Sequence, residues 1–122
     1  MFDINDLMES QKQLQDAFGL FPIKDGRDRN EKLKDMIVCM EDELHEAMHE
    51  FAWRSWTSSS DMNTNRVKEE LRDAFQFFIN CMLILDMTPD ELMSMVKEKQ
   101  DVNWHRIRTG YKDRIADQKD AK

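Results

Sequence analysis

Four acidic residues stand in two pairs of matching spacing, Glu43-x-x-Glu46 and Glu70-x-x-Asp73. On a helix, which turns by about 100° per residue, side chains three apart project side by side. Each pair then edges an apolar stripe: Leu33, Met36, Ile37, Met40, Leu44, Ala47, Met48 and Phe51 for the first, and Val67, Leu71, Ala74, Phe75, Phe78, Met82 and Leu85 for the second. Packing the two stripes antiparallel brings four carboxylates to one pocket. Like charges roughly 5 Å apart would repel by a sizeable share of the ~5–15 kcal/mol that holds a domain folded, so a cation is expected among them. An all-oxygen set suits Mg²⁺, with Mn²⁺ as substitute, rather than Zn²⁺, and Mg²⁺ in such sites usually also holds substrate phosphates. The competing possibility is that the four acids are solvated flanks of amphipathic helices, a common arrangement in a chain that is 35% charged.

The charge balance sharpens the choice. With 18 Lys and Arg against 25 Asp and Glu the net charge is −7, which argues against a nucleic-acid or membrane-surface binder. A polyanionic substrate would need a metal or a local basic cluster. Lys99, Asn103 and Arg106, at i, i+4 and i+7, supply such a cluster on one helical face, with Tyr111 and Lys112 following. His45-Glu46-Ala47-Met48-His49 spells HExxH, but both His fall away from the apolar stripe and Glu70 and Asp73 would be left idle, so the match is read as accidental. Glu46-x-x-His49 resembles half of a di-iron site and lacks the second ExxH such a site needs. Gln11 and Gln15, one turn apart, can offer amide donors and acceptors to a base, and Trp53 or Trp56 can stack on it or staple a helix end.

The elements that must position these groups are helices. Three Gly and two Pro in 122 residues predict a single all-α domain over 1–122, a bundle of about four to five helices. The first helix spans about 3–18, with Gly19 and Pro22 ending it; the second covers 31–53, capped by Asn30 or Asp28. Residues 57–65 are polar and read as a mobile, lid-like loop. The third helix starts near Asn65 and is apolar on nearly every side from Phe75 to Leu85, which implies a homodimer core because so few other helices exist to cover it. Thr88-Pro89-Asp90-Glu91 is a strong helix start and Gly110 a stop, with 113–122 a frayed polar tail. Cys39 and Cys81 lie inside apolar patterns like reduced core thiols, and neither a signal peptide nor a membrane span is indicated, so a cytoplasmic protein is expected.

Taken together, these motifs resemble the all-α nucleoside triphosphate pyrophosphohydrolases, the MazG-like proteins and dimeric dUTPases, with the dUTPase branch the most similar. Gln11-Lys12-Gln13-Leu14-Gln15-Asp16 is similar to the first-helix base-recognition motif, Glu43-x-x-Glu46 with Trp53-Arg54-Ser55-Trp56 to the first metal motif, and Glu70-x-x-Asp73-Ala74-Phe75-Gln76-Phe77 to the second. Lys99-x-x-x-Asn103-x-x-Arg106-x-x-x-Gly110-Tyr111-Lys112 resembles the closing phosphate-binding signature. The resemblance implies a dimer that hydrolyses a dNTP, dUTP first, to the monophosphate and pyrophosphate. It implies Glu43, Glu46, Glu70 and Asp73 as Mg²⁺ ligands, Lys99, Asn103, Arg106, Tyr111 and Lys112 as phosphate holders, and Gln11, Gln15 and Trp53 as base contacts. Gln15 stands where the dUTPase branch usually has Asn, Gln76 replaces a frequent His, and the long insertion of larger members is lacking. These departures leave a broader dNTP or dCTP pyrophosphohydrolase open. A non-enzymatic acidic dimer that binds a protein partner through a surface rich in its 10 Met is the alternative of another class.

Overall fold

A computed structural model describes residues 1–51 and 62–110. Four helices occupy the described residues, with no strand among them: α1 (Ile4–Ala17), α2 (Gly26–His49), α3 (Thr64–Ile84) and α4 (Pro89–Thr109). Trp53, Trp56, Tyr111, Lys112, most of the 57–65 loop and the 113–122 tail lie outside them. The chain divides into two compact units, Met1–Met87 with α1 to α3 and Thr88–Lys122 with α4.

Local chemistry sets the helix ends. Asp3 caps α1 in a reciprocal box with Asp6, each carboxylate accepting from the other's backbone N–H at 2.9 and 3.0 Å. Gly19 follows at φ +87°, the left-handed conformation that glycine adopts without strain. α2 begins earlier than the sequence suggests. Its cap is Asp25, which accepts from the Asp28 N–H at 2.8 Å, and not Asp28 or Asn30. Asp28 is engaged otherwise, taking the Lys24 N–H at 2.9 Å and the Lys32 ammonium at 3.1 Å. Lys32 Nζ also donates to the Leu20 carbonyl at 2.6 Å, fixing the α1–α2 connection with Leu20 buried. α2 stops at His49 rather than reaching residue 53. Asn63 caps α3, and α4 starts as its sequence indicates, with Thr88 Oγ1 accepting from the Glu91 N–H at 3.1 Å and Gly110 at its end.

α3 is the centre of the first unit, lying against both α2 and α1. Met36 meets Asn80, Glu46 meets Glu70 and Glu50 meets Arg66, so rising numbers on α2 face falling numbers on α3 and the pair is antiparallel. Two stripes run along α3 one residue apart. Glu70, Ala74, Cys81 and Ile84 form the first, and all are buried. Leu71, Phe75, Phe78, Met82 and Leu85 form the second, which changes along its length: Met82 is 1% exposed, but Leu71 and Phe75 are 49% and 45% exposed. A single chain therefore already covers Ile79 to Met82 and Ile84, contrary to the expectation that the whole apolar run lacks cover. Burial of a side chain such as Ile79 contributes about 1.5–3 kcal/mol. What stays open of this stripe is Leu71 and Phe75 toward its start and Leu85 at its end, together with Ile37, Val38 and Leu44 of α2.

Candidate active site

The antiparallel pairing of α2 and α3 converts the acid spacing into a cluster. Glu43 and Glu46 project from the last turns of α2, Glu70 from the second turn of α3, and one oxygen of each lies within 4.8 Å of the others. Glu70 is buried, Glu43 half-buried and Glu46 exposed. Asp73 sits one turn beyond Glu70, outside this closest group, with its Oδ1 accepting from Arg72 Nη2 at 2.9 Å and Nε at 3.0 Å.

The electrostatics match so dense a set of acids. Proton sharing with the Glu70 carboxylate, then burial, then repulsion from Glu46, Asp73 and Glu70 push the Glu43 carboxyl up to about 7. Glu46 is raised as well, chiefly by Glu70. Glu43 Oε2 is buried and receives no hydrogen bond, a costly state for a carboxylate oxygen. The donor set fits a hard divalent cation. Octahedral Mg²⁺, with oxygens at 2.0–2.1 Å, needs ligand oxygens about 2.9–4.2 Å apart, which three oxygens within 4.8 Å of one another can supply, and it would satisfy the orphan oxygen. Neither His45 nor His49, whose rings meet edge-on at 5.5 Å, belongs to the group.

Beside the acids opens a cleft of about 270 Å³, lined by Gln11, Leu14, Gln15, Gln76, Phe77 and Asn80 together with Glu43 and Asp73. Gln11 is buried and its Nε2 donates to Asn80 Oδ1 at 2.9 Å; the Asn80 amide reaches Met36 Sδ at 3.5 Å. The two glutamines expected to face a base thus line one cavity with the acids. Asn80 was not foreseen, although it is the one polar residue between Phe77 and Leu85. Glu50 and Arg66 were missed too: Arg66 Nε lies 3.5 Å from Glu50 Oε1 and its Nη2 3.7 Å from Glu70 Oε1. A larger cleft of about 480 Å³, between residues 21–29 and Leu83 to Asp86, lies at the far end of α3 and holds no paired acids.

On α4, Lys99, Asn103 and Arg106 keep their one-face spacing. Arg106 Nη1 donates to Asn103 Oδ1 at 3.2 Å, and Lys99 borders a shallow apolar cleft with Met95 and Val102. Trp53, Tyr111 and Lys112 lie outside the described residues. Among the described residues no helix is long and apolar enough to cross a membrane.

Comparison with curated proteins and with solved structures finds no match. A family model described as dUTPase matches residues 3–83, a span that takes in the acid group and the amide cleft and ends before α4. With two thirds of its length so matched, the chain belongs to the all-α dimeric dUTPase family, whose members act on nucleotides as pyrophosphohydrolases.

Proposed function

We propose that this chain hydrolyses a deoxynucleoside triphosphate, dUTP before others, to the monophosphate and pyrophosphate, as a Mg²⁺-dependent homodimer in the cytoplasm. The observation that carries this is the buried, donorless Glu43 Oε2 inside a three-carboxylate group that borders a cleft of amides. Glu43, Glu46, Glu70 and Asp73 would hold the ion, with Mn²⁺ as substitute. The ion would neutralise the triphosphate and acidify the attacking water. One of the four acids would orient the attacking water or take its proton. Lys99, Asn103, Arg106, Tyr111 and Lys112 would hold phosphate oxygens, and Trp53 would cover the base. Pyrophosphate release measured over dUTP, dCTP, dTTP, dATP, dGTP and UTP, with Mg²⁺ and with chelator, tests the proposal. Equal inactivity on all six would refute it.

Base choice falls to Gln11 and Gln15. Asn80 Oδ1 accepts one N–H of the Gln11 amide, which biases, without locking, the orientation in which it meets a pyrimidine edge. Unpaired polar groups in a closed pocket cost about 1–3 kcal/mol each, so Gln11→Ala is expected to lower the dUTP to dATP ratio of kcat/KM roughly tenfold. Metal affinity should not change. An unaltered ratio in both Gln11→Ala and Gln15→Ala would show that the first helix does not read the base. Because an amide presents both donor and acceptor, dCTP is the expected second substrate.

The acid group also predicts a pH signature. A carboxyl raised from 4.5 to about 7 on folding contributes stability below pH 4.5 that is lost as pH rises through 7. Without metal, the wild type should therefore fall progressively below Glu43→Gln in melting temperature between pH 4.5 and 7. With Mg²⁺ the order reverses in the upper part of that range, since the ion displaces the proton. Melting curves in chelator and in Mg²⁺ from pH 4.5 to 8 check both signs. A wild type that gains on Glu43→Gln with rising pH in chelator would contradict them.

A further inference from the structure

Arg66 lies in the first turn of α3, a turn that contains no acidic residue although a helix N-terminus favours one. Its guanidinium sits between two carboxylates from different helices, 3.5 Å from Glu50 Oε1 at the α2 C-cap and 3.7 Å from Glu70 Oε1. Both separations exceed those of a charge-assisted hydrogen bond, roughly 2.7–2.9 Å, so the contact is a loose electrostatic bridge rather than a locked fork. The Arg66 side chain is 55% exposed while that of Glu70 is 8% exposed. A solvent-exposed cation thus answers a buried anion that also belongs to the three-acid group.

That asymmetry has a chemical consequence. When a divalent cation takes the Glu70 carboxylate, the positive charge of Arg66 becomes a like charge beside it, and the loose contact holds it there only weakly. A guanidinium is well shaped for a phosphate oxygen pair. We propose that Arg66 is an exchangeable counter-cation of this site: it offsets Glu70 and Glu50 in the metal-free protein and passes to a phosphate of the bound polyphosphate once the acids are loaded. This rests on the metal-site assignment above.

The two roles have opposite signs in binding. A positive charge some 6 Å from a divalent ion, even in a water-like dielectric, weakens its binding by roughly tenfold. Removing Arg66 should therefore tighten metal binding and loosen phosphate binding. Calorimetric titration of wild type, Arg66→Gln, Arg66→Lys and Lys34→Gln is the test, using Mn²⁺ alone and then inorganic pyrophosphate at saturating Mg²⁺. Lys34 pairs with Glu31 at 3.1 Å on the exposed α2 surface, and controls for the change in net charge. Arg66→Gln is expected to bind Mn²⁺ roughly three- to tenfold more tightly and pyrophosphate roughly tenfold more weakly, with Arg66→Lys close to wild type for Mn²⁺ but between the two for pyrophosphate, and Lys34→Gln shifting neither. Shifts of the same sign for both probes, or no shift in either, would overturn the exchange. A wild type that takes up no Mn²⁺ would overturn the metal site and the exchange with it, whereas Mn²⁺ uptake identical in Arg66→Gln removes Arg66 alone.

Discussion

Exchanging Glu46 for Gln is expected to cut turnover at least a thousandfold, roughly the loss of a principal charge contact at a phosphoryl-transfer site, while leaving the metal-free helices no less stable. Glu46 is exposed, so the isosteric amide disturbs no packing. Its carboxyl is pushed up chiefly by Glu70, which means the ionised form is disfavoured in the folded chain and its removal relieves strain. The melting temperature without metal should therefore stay level or rise, and the increase produced by Mg²⁺ should shrink. Asp73→Asn should lose turnover to a similar degree but gain less stability, because Arg72 already answers that carboxylate at 2.9 Å. Initial rates of pyrophosphate release, with melting curves in chelator and in Mg²⁺, separate these effects. Near-normal turnover with an undiminished Mg²⁺ shift in Glu46→Gln would remove Glu46 from the site.

The acid group was legible in the sequence because it depends on two periodicities only. Three-residue spacing places Glu43 beside Glu46 and Glu70 beside Asp73, and antiparallel packing of two apolar stripes does the rest. Spacing could not say that Asp73 would stand apart, since that follows from the neighbouring Arg72 and its side-chain geometry. Glu50 was within reach of the same reasoning, being i+7 from Glu43 and i+4 from Glu46. Its pairing with Arg66 was not, because it requires knowing that α2 residue 50 meets α3 residue 66. Asn80 carried a signal as a lone amide in an apolar run, but its partner Gln11 lies 69 residues away, and a single sequence does not reveal such a contact.

The helix ends show the same boundary between local and non-local information. Thr88-Pro89-Asp90-Glu91 specifies its cap within four residues, and the structure follows it. At the start of α2, three candidates compete: Asp25, Asp28 and Asn30. Asp28 is taken by Lys24 and Lys32, and Lys32 is oriented in turn by the Leu20 and Pro22 carbonyls. The outcome is decided by how the connection folds back, so propensity alone selects the wrong residue.

Replacing Leu71 and Phe75 together by Glu is expected to abolish self-association, and this prediction discriminates where a core substitution cannot. Met82 is 1% exposed within one chain, so Met82→Lys would unfold a monomer as surely as a dimer. Leu71 and Phe75 are about half exposed on one face of α3, one turn apart, with Phe75 stacked at 6.5 Å on Phe78. Were the chain to function alone, two acids there would cost little, since surface changes usually stay within about 0.5 kcal/mol. In a homodimer that buries them, four unpaired carboxylates would enter an apolar interface and association would fail. Wild type should sediment at twice the 14.6-kDa chain mass at micromolar concentration. The double variant should sediment as single chains or lose cooperative unfolding altogether. Wild type running as a stable folded monomer, or a double variant of unchanged mass and melting temperature, would show that the face of α3 carrying Leu71 and Phe75 is not where two copies meet.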